Sequence, residues 1–156
     1  MYSILPWRRT TLIDRIDTAE TERLQPETWL SDVLIHNAIK ILINNSPAEG
    51  TVFKVRSSHW ITRCLVNNGA DPSKAPNWYT RKQKHRLDKN TILLIPFNQC
   101  GHWTLFVVLL GPNVVFHLDS SRGCIPRRRV EQAFSVIVDL MCGEGWGAAD
   151  DWFLYN

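Results

Sequence analysis

The sequence predicts an α+β fold, a central and mostly antiparallel sheet flanked by helices. Three observations lead there. The stretch Asn90 to Ser121, NTILLIPFNQCGHWTLFVVLLGPNVVFHLDSS, holds three apolar runs in succession, each bounded by turn residues. Val33, Leu34, Ala38, Ile41 and Leu42 recur at helical spacing, and so do Val130, Phe134, Ile137, Leu140 and Met141. Runs of strand length sit between segments of helix length, which suits sheet and helices packed in layers.

Residues 1–23 are polar with scattered apolar positions and read as an N-terminal arm that packs Trp7 or Ile13. Leu24 to Asn45 holds the first helix. Ser31 or Asp32 can cap it, because a short polar side chain accepts from the free amides of the first turn. Ile35, Ile39 and Ile43 widen its apolar stripe, so the helix should be buried on most sides. Asn44-Asn45-Ser46-Pro47 stops it. Thr51 to Val55 alternates weakly. Ser57 to Trp60 opens a short helix that carries Trp60, Ile61, Cys64 and Leu65, and Asn67-Asn68-Gly69 closes it. A proline-containing loop follows from Asp71 to Asn77, then a basic helix from Trp78 to Arg86.

The three central strands are Thr91 to Pro96, Trp103 to Leu110 and Val114 to Leu118, the last two joined by a Gly111-Pro112-Asn113 turn. Continuous apolar runs of this kind suit strands buried on both faces. Pro126 opens the last long helix, which Gly143 ends; Asp151 to Tyr155 reads as one more strand.

Chemistry concentrates at one rim. His102 precedes the second central strand and Asp119 follows the third. If those strands pair as a hairpin, the two side chains are neighbours. A carboxylate beside an imidazole fixes its tautomer and supports its charged form, as a general base requires. His117 reads as a structural or surface residue, and His59 as a surface or cap residue. Among the four cysteines, Cys64 lies on an apolar helix face and Cys142 at a helix C-terminus, where the dipole opposes a thiolate. Cys100 shares the turn with His102. Cys124, before a helix N-terminus and an Arg run, is the best internal nucleophile candidate. Cys100, His102, His117 and Cys124 could be imagined around a metal, but their spacing is not that of a zinc knuckle, and neither metal nor cofactor is expected.

Composition bounds the rest. At 156 residues, 44% hydrophobic and with seven Trp, the chain fits one folded domain. A net charge of +3 is mild and predicts no nucleic-acid partner by itself; the basic clusters at Arg8-Arg9, Arg81 to Arg86 and Arg127 to Arg129 read as solvated helix faces, with attraction to an acidic partner or nucleic acid, through the Arg81 to Arg86 helix above all, as the alternative. No apolar run approaches the ~20 residues that span a bilayer, so no membrane is expected. The scattered cysteines, without a disulfide framework, point to a reducing, intracellular compartment, nucleus or cytoplasm.

IPFNQCGHWTLFVV followed by VVFHLDSS resembles the His-Trp and Asp segments of the ubiquitin-like-protein proteases, the SUMO-protease type of cysteine peptidase related to adenoviral proteinase. LQPETWLSDVLIHNAIKIL is similar to that family's Trp-Leu-x-Asp segment. The resemblance runs from about Leu24 to the C-terminus, and it implies a papain-like or adenain-like fold. It makes His102 the general base and Asp119 its orienter. Trp29 and Trp103 become the tryptophans that cover a Gly-Gly tail, and Asp32 a contact to SUMO or another ubiquitin-like protein. Glycine alone lacks the side chain that would collide with two indoles. Read from residues alone, Trp29 is a hydrophobic staple, Asp32 a helix N-terminal acid and Trp103 a core aromatic.

The family places a Gln and an Asp-Cys-Gly nucleophile motif after this region, and neither occurs here. The implied domain, 24–156, is therefore incomplete, truncated before its nucleophile. Two expectations follow: a cysteine-type peptidase or isopeptidase domain that is inactive as this chain, or a catalytically silent module that binds a ubiquitin-like protein. Loss of covering helices would leave apolar sheet exposed and favour a dimer through that surface.

Overall fold

The computed structural model describes residues 20, 22–24, 28–46, 50–66, 69–75, 87–121 and 123–156. They fall into two units, Met1–Glu49 and Gly50–Asn156. The expected basic helix 78–86, and Trp7 and Ile13 of the expected arm, lie outside the described residues.

The first unit holds a 3-10 turn, Glu22–Leu24, and helix α1, Asp32–Asn44. Ser31 is the cap of α1. Its backbone is extended and its hydroxyl accepts from the Leu34 amide at 3.2 Å. The same hydroxyl donates to the Glu20 carboxylate. At the other end the Asn45 side chain donates to the Ile41 carbonyl. The expectation that α1 is buried on most sides is corrected: Leu34 is its one buried residue, while Val33 and Leu42 are exposed. A helix covered along one side buries only the positions of that side, and on α1 that is Leu34.

The second unit is built on a five-stranded sheet. In chain order its strands are β1 (Val52–Val55), β4 (Thr91–Gln99), β5 (His102–Leu109), β6 (Val114–Leu118) and β7 (Phe153–Tyr155), and they lie side by side in that order. The long central pairings, β4 with β5 and β5 with β6, are antiparallel; the short outer ones are parallel. This is an α+β fold with a mixed sheet.

β4 runs three residues past the expected end at Pro96. Leu110 donates to the Thr91 carbonyl, so Thr91 and every second residue after it bond toward β5. Pro96 falls on the alternate set, which faces β1. β1 ends at Val55, paired with Leu94, so the ladder asks no donor of Pro96. Cys100 and Gly101 then turn the chain with φ of 53° and 79°, the left-handed pair a two-residue hairpin needs.

Helix α2 (His59–Thr62) is shorter than expected. Leu65 is not helical; β2 (Leu65–Val66) pairs antiparallel with β3 (Gly69–Ala70), and the Asp71 amide closes the hairpin on the Cys64 carbonyl at 2.7 Å. Asp71 then caps a 3-10 turn, Pro72–Lys74.

Helix α3 (Arg127–Gly143) and α2 supply the helical side of the core. Val130, Ile137 and Met141 of the expected stripe are buried, as are Ala133, Val136 and Val138; Phe134 and Leu140 are half-buried against the core. Sheet residues Leu93, Ile95, Phe97, Phe106, Val108 and Val115 meet them, with Trp60, Ile61 and Trp152 closing the edges. Each such side chain contributes about 1.5–3 kcal/mol by leaving water.

The expectation of strands buried on both faces is corrected. Leu105, Val107 and Phe116 on the second face are half-buried, and Leu118, Phe153 and Tyr155 are exposed. The core helices cover the opposite face of the sheet, so alternate residues of the same apolar run have different fates. Among the described residues no helix is long and apolar enough to cross a membrane.

Candidate active site

The site follows from strand parity. His102, Thr104, Phe106 and Val108 lie on one face of β5; Val115 and His117 lie on the same face of β6, with Phe106 opposite His117. Two residues on from His117, Asp119 would stand opposite Thr104, diagonal to His102. Diagonal neighbours across a ladder are within reach of long side chains. His102 Nε2 and Asp119 Oδ1 lie 2.6 Å apart. The side chains are 23% and 12% exposed, open enough for a reactant to reach the imidazole and closed enough to strengthen the contact.

The Asp119 Oδ1 atom also accepts the Ser121 amide at 2.8 Å, a turn that sequence reading did not single out. Burial is the largest influence on this carboxyl and pushes it up. The hydrogen bonds from His102 and Ser121, with the nearby imidazoles of His102 and His117, outweigh it and hold Asp119 below its ordinary value. An ionised Asp119 keeps the proton of a neutral His102 on Nε2. The lone pair is then on Nδ1, which makes no hydrogen bond among the described residues and is free to take a proton.

A second polar layer lies beneath. His117 is buried, its Nε2 3.1 Å from Thr104 Oγ1 and its Nδ1 2.7 Å from Asn156 Oδ1. Its ring lies 4.7 Å from that of Phe106. Alternation puts His117 on the same strand face as Val115, but its burial is completed by Thr104 and Asn156, distant in the chain.

Trp103 follows His102 and is half-buried, on the strand's opposite parity. Trp29 and Asp32 belong to the first unit. Trp29 is 66% exposed, two residues before the Ser31 cap, and Asp32 is the first residue of α1.

All four cysteines are free thiols, and none hydrogen-bonds to His102. Cys64 is fully buried and donates to the Trp60 carbonyl; burial, then the Asp71 charge, pushes its thiol up. Burial, then Asp139, does the same to Cys142. Cys124 is exposed and donates to Ser121 Oγ at 3.2 Å, and the Ser121 amide in turn donates to Asp119. Cys100 is exposed in the hairpin turn. Among the described residues no three His, Cys, Asp or Glu side chains converge as a metal would require.

A strand-end imidazole held by a carboxylate just past the end of the neighbouring strand can act as an oriented base. Residues 50–143 match the family model of the Ulp1 protease family, C-terminal catalytic domain, and the chain belongs to that family. Among solved structures it is similar to SUMO protease Ulp1 with its catalytic cysteine oxidised to a sulfinic acid, at 22% identity and a TM-score of 0.69 over 95% of this chain and 66% of that one. The C-terminal Ulp1 protease domain in complex with Smt3, the yeast ortholog of SUMO, matches at 22% identity and 0.67 over 89% and 60%. The Chaetomium thermophilum Ulp1-like SUMO protease catalytic domain matches at 23% and 0.64 over 90% and 58%. At these identities the likeness is one of fold. The chain spans 58–66% of the length of these three structures. No curated protein matches it.

Proposed function

We propose that this chain carries the general-base half of a cysteine peptidase or isopeptidase domain for SUMO or another ubiquitin-like protein, and that by itself it does not cleave. The observation that carries this reading is the 2.6 Å contact between His102 Nε2 and Asp119 Oδ1. His102 is the base that would deprotonate a thiol at Nδ1, and Asp119 orients it and stabilises the imidazolium. In the second unit Trp103 is the proposed contact to the slim Gly-Gly tail; in the first unit Trp29 is likewise a proposed tail contact and Asp32 a proposed contact to the body of the ubiquitin-like protein. The complex of a relative with Smt3 supports this partner class. Among the described residues no thiol hydrogen-bonds to His102, which supports silence of this chain in hydrolysis. Free, exposed Cys100 and Cys124 fit a reducing, intracellular setting.

The same absence favours a second reading, a module that binds a ubiquitin-like tail without chemistry. Titration of the chain with SUMO and with ubiquitin, alongside a cleavage assay on a SUMO precursor, tests both readings. Binding without cleavage, weakened at least about tenfold by Trp103→Ala, is expected. Cleavage that disappears in Cys124→Ala would make Cys124 the nucleophile and overturn the silent chain. No binding to either protein would overturn both readings.

A further inference from the structure

We propose that His117 is a positioning residue for the candidate base pair: bonded to Thr104, it fixes the end of β6 so that Asp119, two residues on, meets His102. This role rests on the reading of His102 and Asp119 as an oriented base.

Asp119 lies just past the ladder. The last β5–β6 pair is Leu105 with Leu118, and Leu118 is 53% exposed. A strand end whose last residue faces water frays at little cost. From the loop side the Ser121 amide holds the carboxylate. On the strand side, the first side chain packed into the protein is that of His117.

Phe106, Val108 and Val115 are apolar on the covered face of β5 and β6, whereas Thr104 and His117 are polar, buried and bonded to each other. Thr104 lies next to His102 on its face of β5 and opposite the place Asp119 takes beyond β6. The 3.1 Å contact from His117 Nε2 to Thr104 Oγ1 therefore ties together the two strand segments that carry the pair. An apolar side chain in its place would pack against Phe106 in more than one position, because apolar contact has no direction. A ring nitrogen on a hydroxyl has a narrow geometry, and a slip would leave two buried polar groups unpaired.

The tie persists in either protonation state. With the ring neutral, Nδ1–H donates to Asn156 Oδ1 and the Thr104 hydroxyl donates to Nε2. With the ring charged, Nε2–H donates to Thr104 Oγ1, whose own hydrogen turns to the Phe97 carbonyl at 3.4 Å. The groups facing Asp119 are His102 from β5, His117 from β6 and Ser121 from its own loop. On the α3 side Arg127 and Glu131 line a hollow with Asn156 and pair with each other at 2.8 Å.

Nuclear magnetic resonance at neutral pH tests the role. The parent should show a nuclear Overhauser contact between the His102 ring and the Asp119 methylene protons. His117→Val, which suits a strand but bonds to nothing, should lose that contact while keeping the far-UV circular dichroism of the fold. Thr104→Val keeps the imidazole and its charge and should lose the contact as well; it decides the matter if His117→Val does not fold. His117→Gln carries no charge but has an amide that can reach Thr104, and it should restore the contact. Urea unfolding should agree: both valine variants should share the shallower acid limb of Asp119→Asn below about pH 4, and His117→Gln the limb of the parent. A contact that persists in a folded valine variant, or one missing from folded His117→Gln, would overturn the role of His117 and leave the base pair standing. A parent without the contact would remove the pairing of His102 with Asp119, and the role of His117 with it.

Discussion

Phe106 and His117 oppose each other across the β5–β6 ladder with ring centroids 4.7 Å apart. That register fixes the site, because it places Asp119 diagonal to His102 instead of one residue off and on the other face. A slip of one residue would point the carboxylate away from the imidazole. Core packing and the candidate chemistry are therefore set by the same pairing.

Removing the ring tests this. Phe106→Ala should destabilise the fold by about 3–5 kcal/mol, as a fully buried ring against Phe97 and His117 leaves a cavity. Urea unfolding followed by far-UV circular dichroism measures it, and a loss under about 1 kcal/mol would contradict the packing described.

Asp119 gives a pH signature. Its carboxyl is held below its ordinary value in the fold, so it adds stability above the unfolded value, near 3.9, and that stability is lost as pH falls through the lower folded value. Asp119→Asn should be less stable at neutral pH and should show a shallower loss of stability below about pH 4. Parallel acid limbs for the two proteins would remove Asp119 from this account.

The thiols should divide by burial. Cys100 and Cys124 should react with an aromatic disulfide reagent in the folded protein, Cys142 more slowly, and Cys64 only on unfolding. Mass spectrometry of the labelled chain reads the order. Early labelling of Cys64 would mean that the α2 side of the core opens readily.

Two glycines separate space from conformation. A methyl group at Gly111 would lie 2.6 Å from the Lys89 carbonyl oxygen, so Gly111→Ala should cost about 1–3 kcal/mol. At Gly143, the last residue of α3, nothing lies within 4 Å. Gly143→Ala should be neutral or stabilising by up to about 1 kcal/mol, and thermal melts of both variants check the contrast.

The sequence alone located β6, the start of α1, the body of α3 and the partnership of His102 with Asp119. Those features rest on local rules: apolar periodicity, a capping serine, and the alternation that makes the ends of a hairpin meet. What lay beyond it depended on neighbours distant in the chain. Pro96 continues a strand because β1 stops opposite Leu94, and Leu65 leaves the helix because it finds a partner in Ala70. The apolar residues of β5 are sorted into covered and half-covered faces by where α3 lies, and His117 is buried by Thr104 and Asn156. Periodicity tells which residues share a face, but only tertiary packing decides which face loses its water.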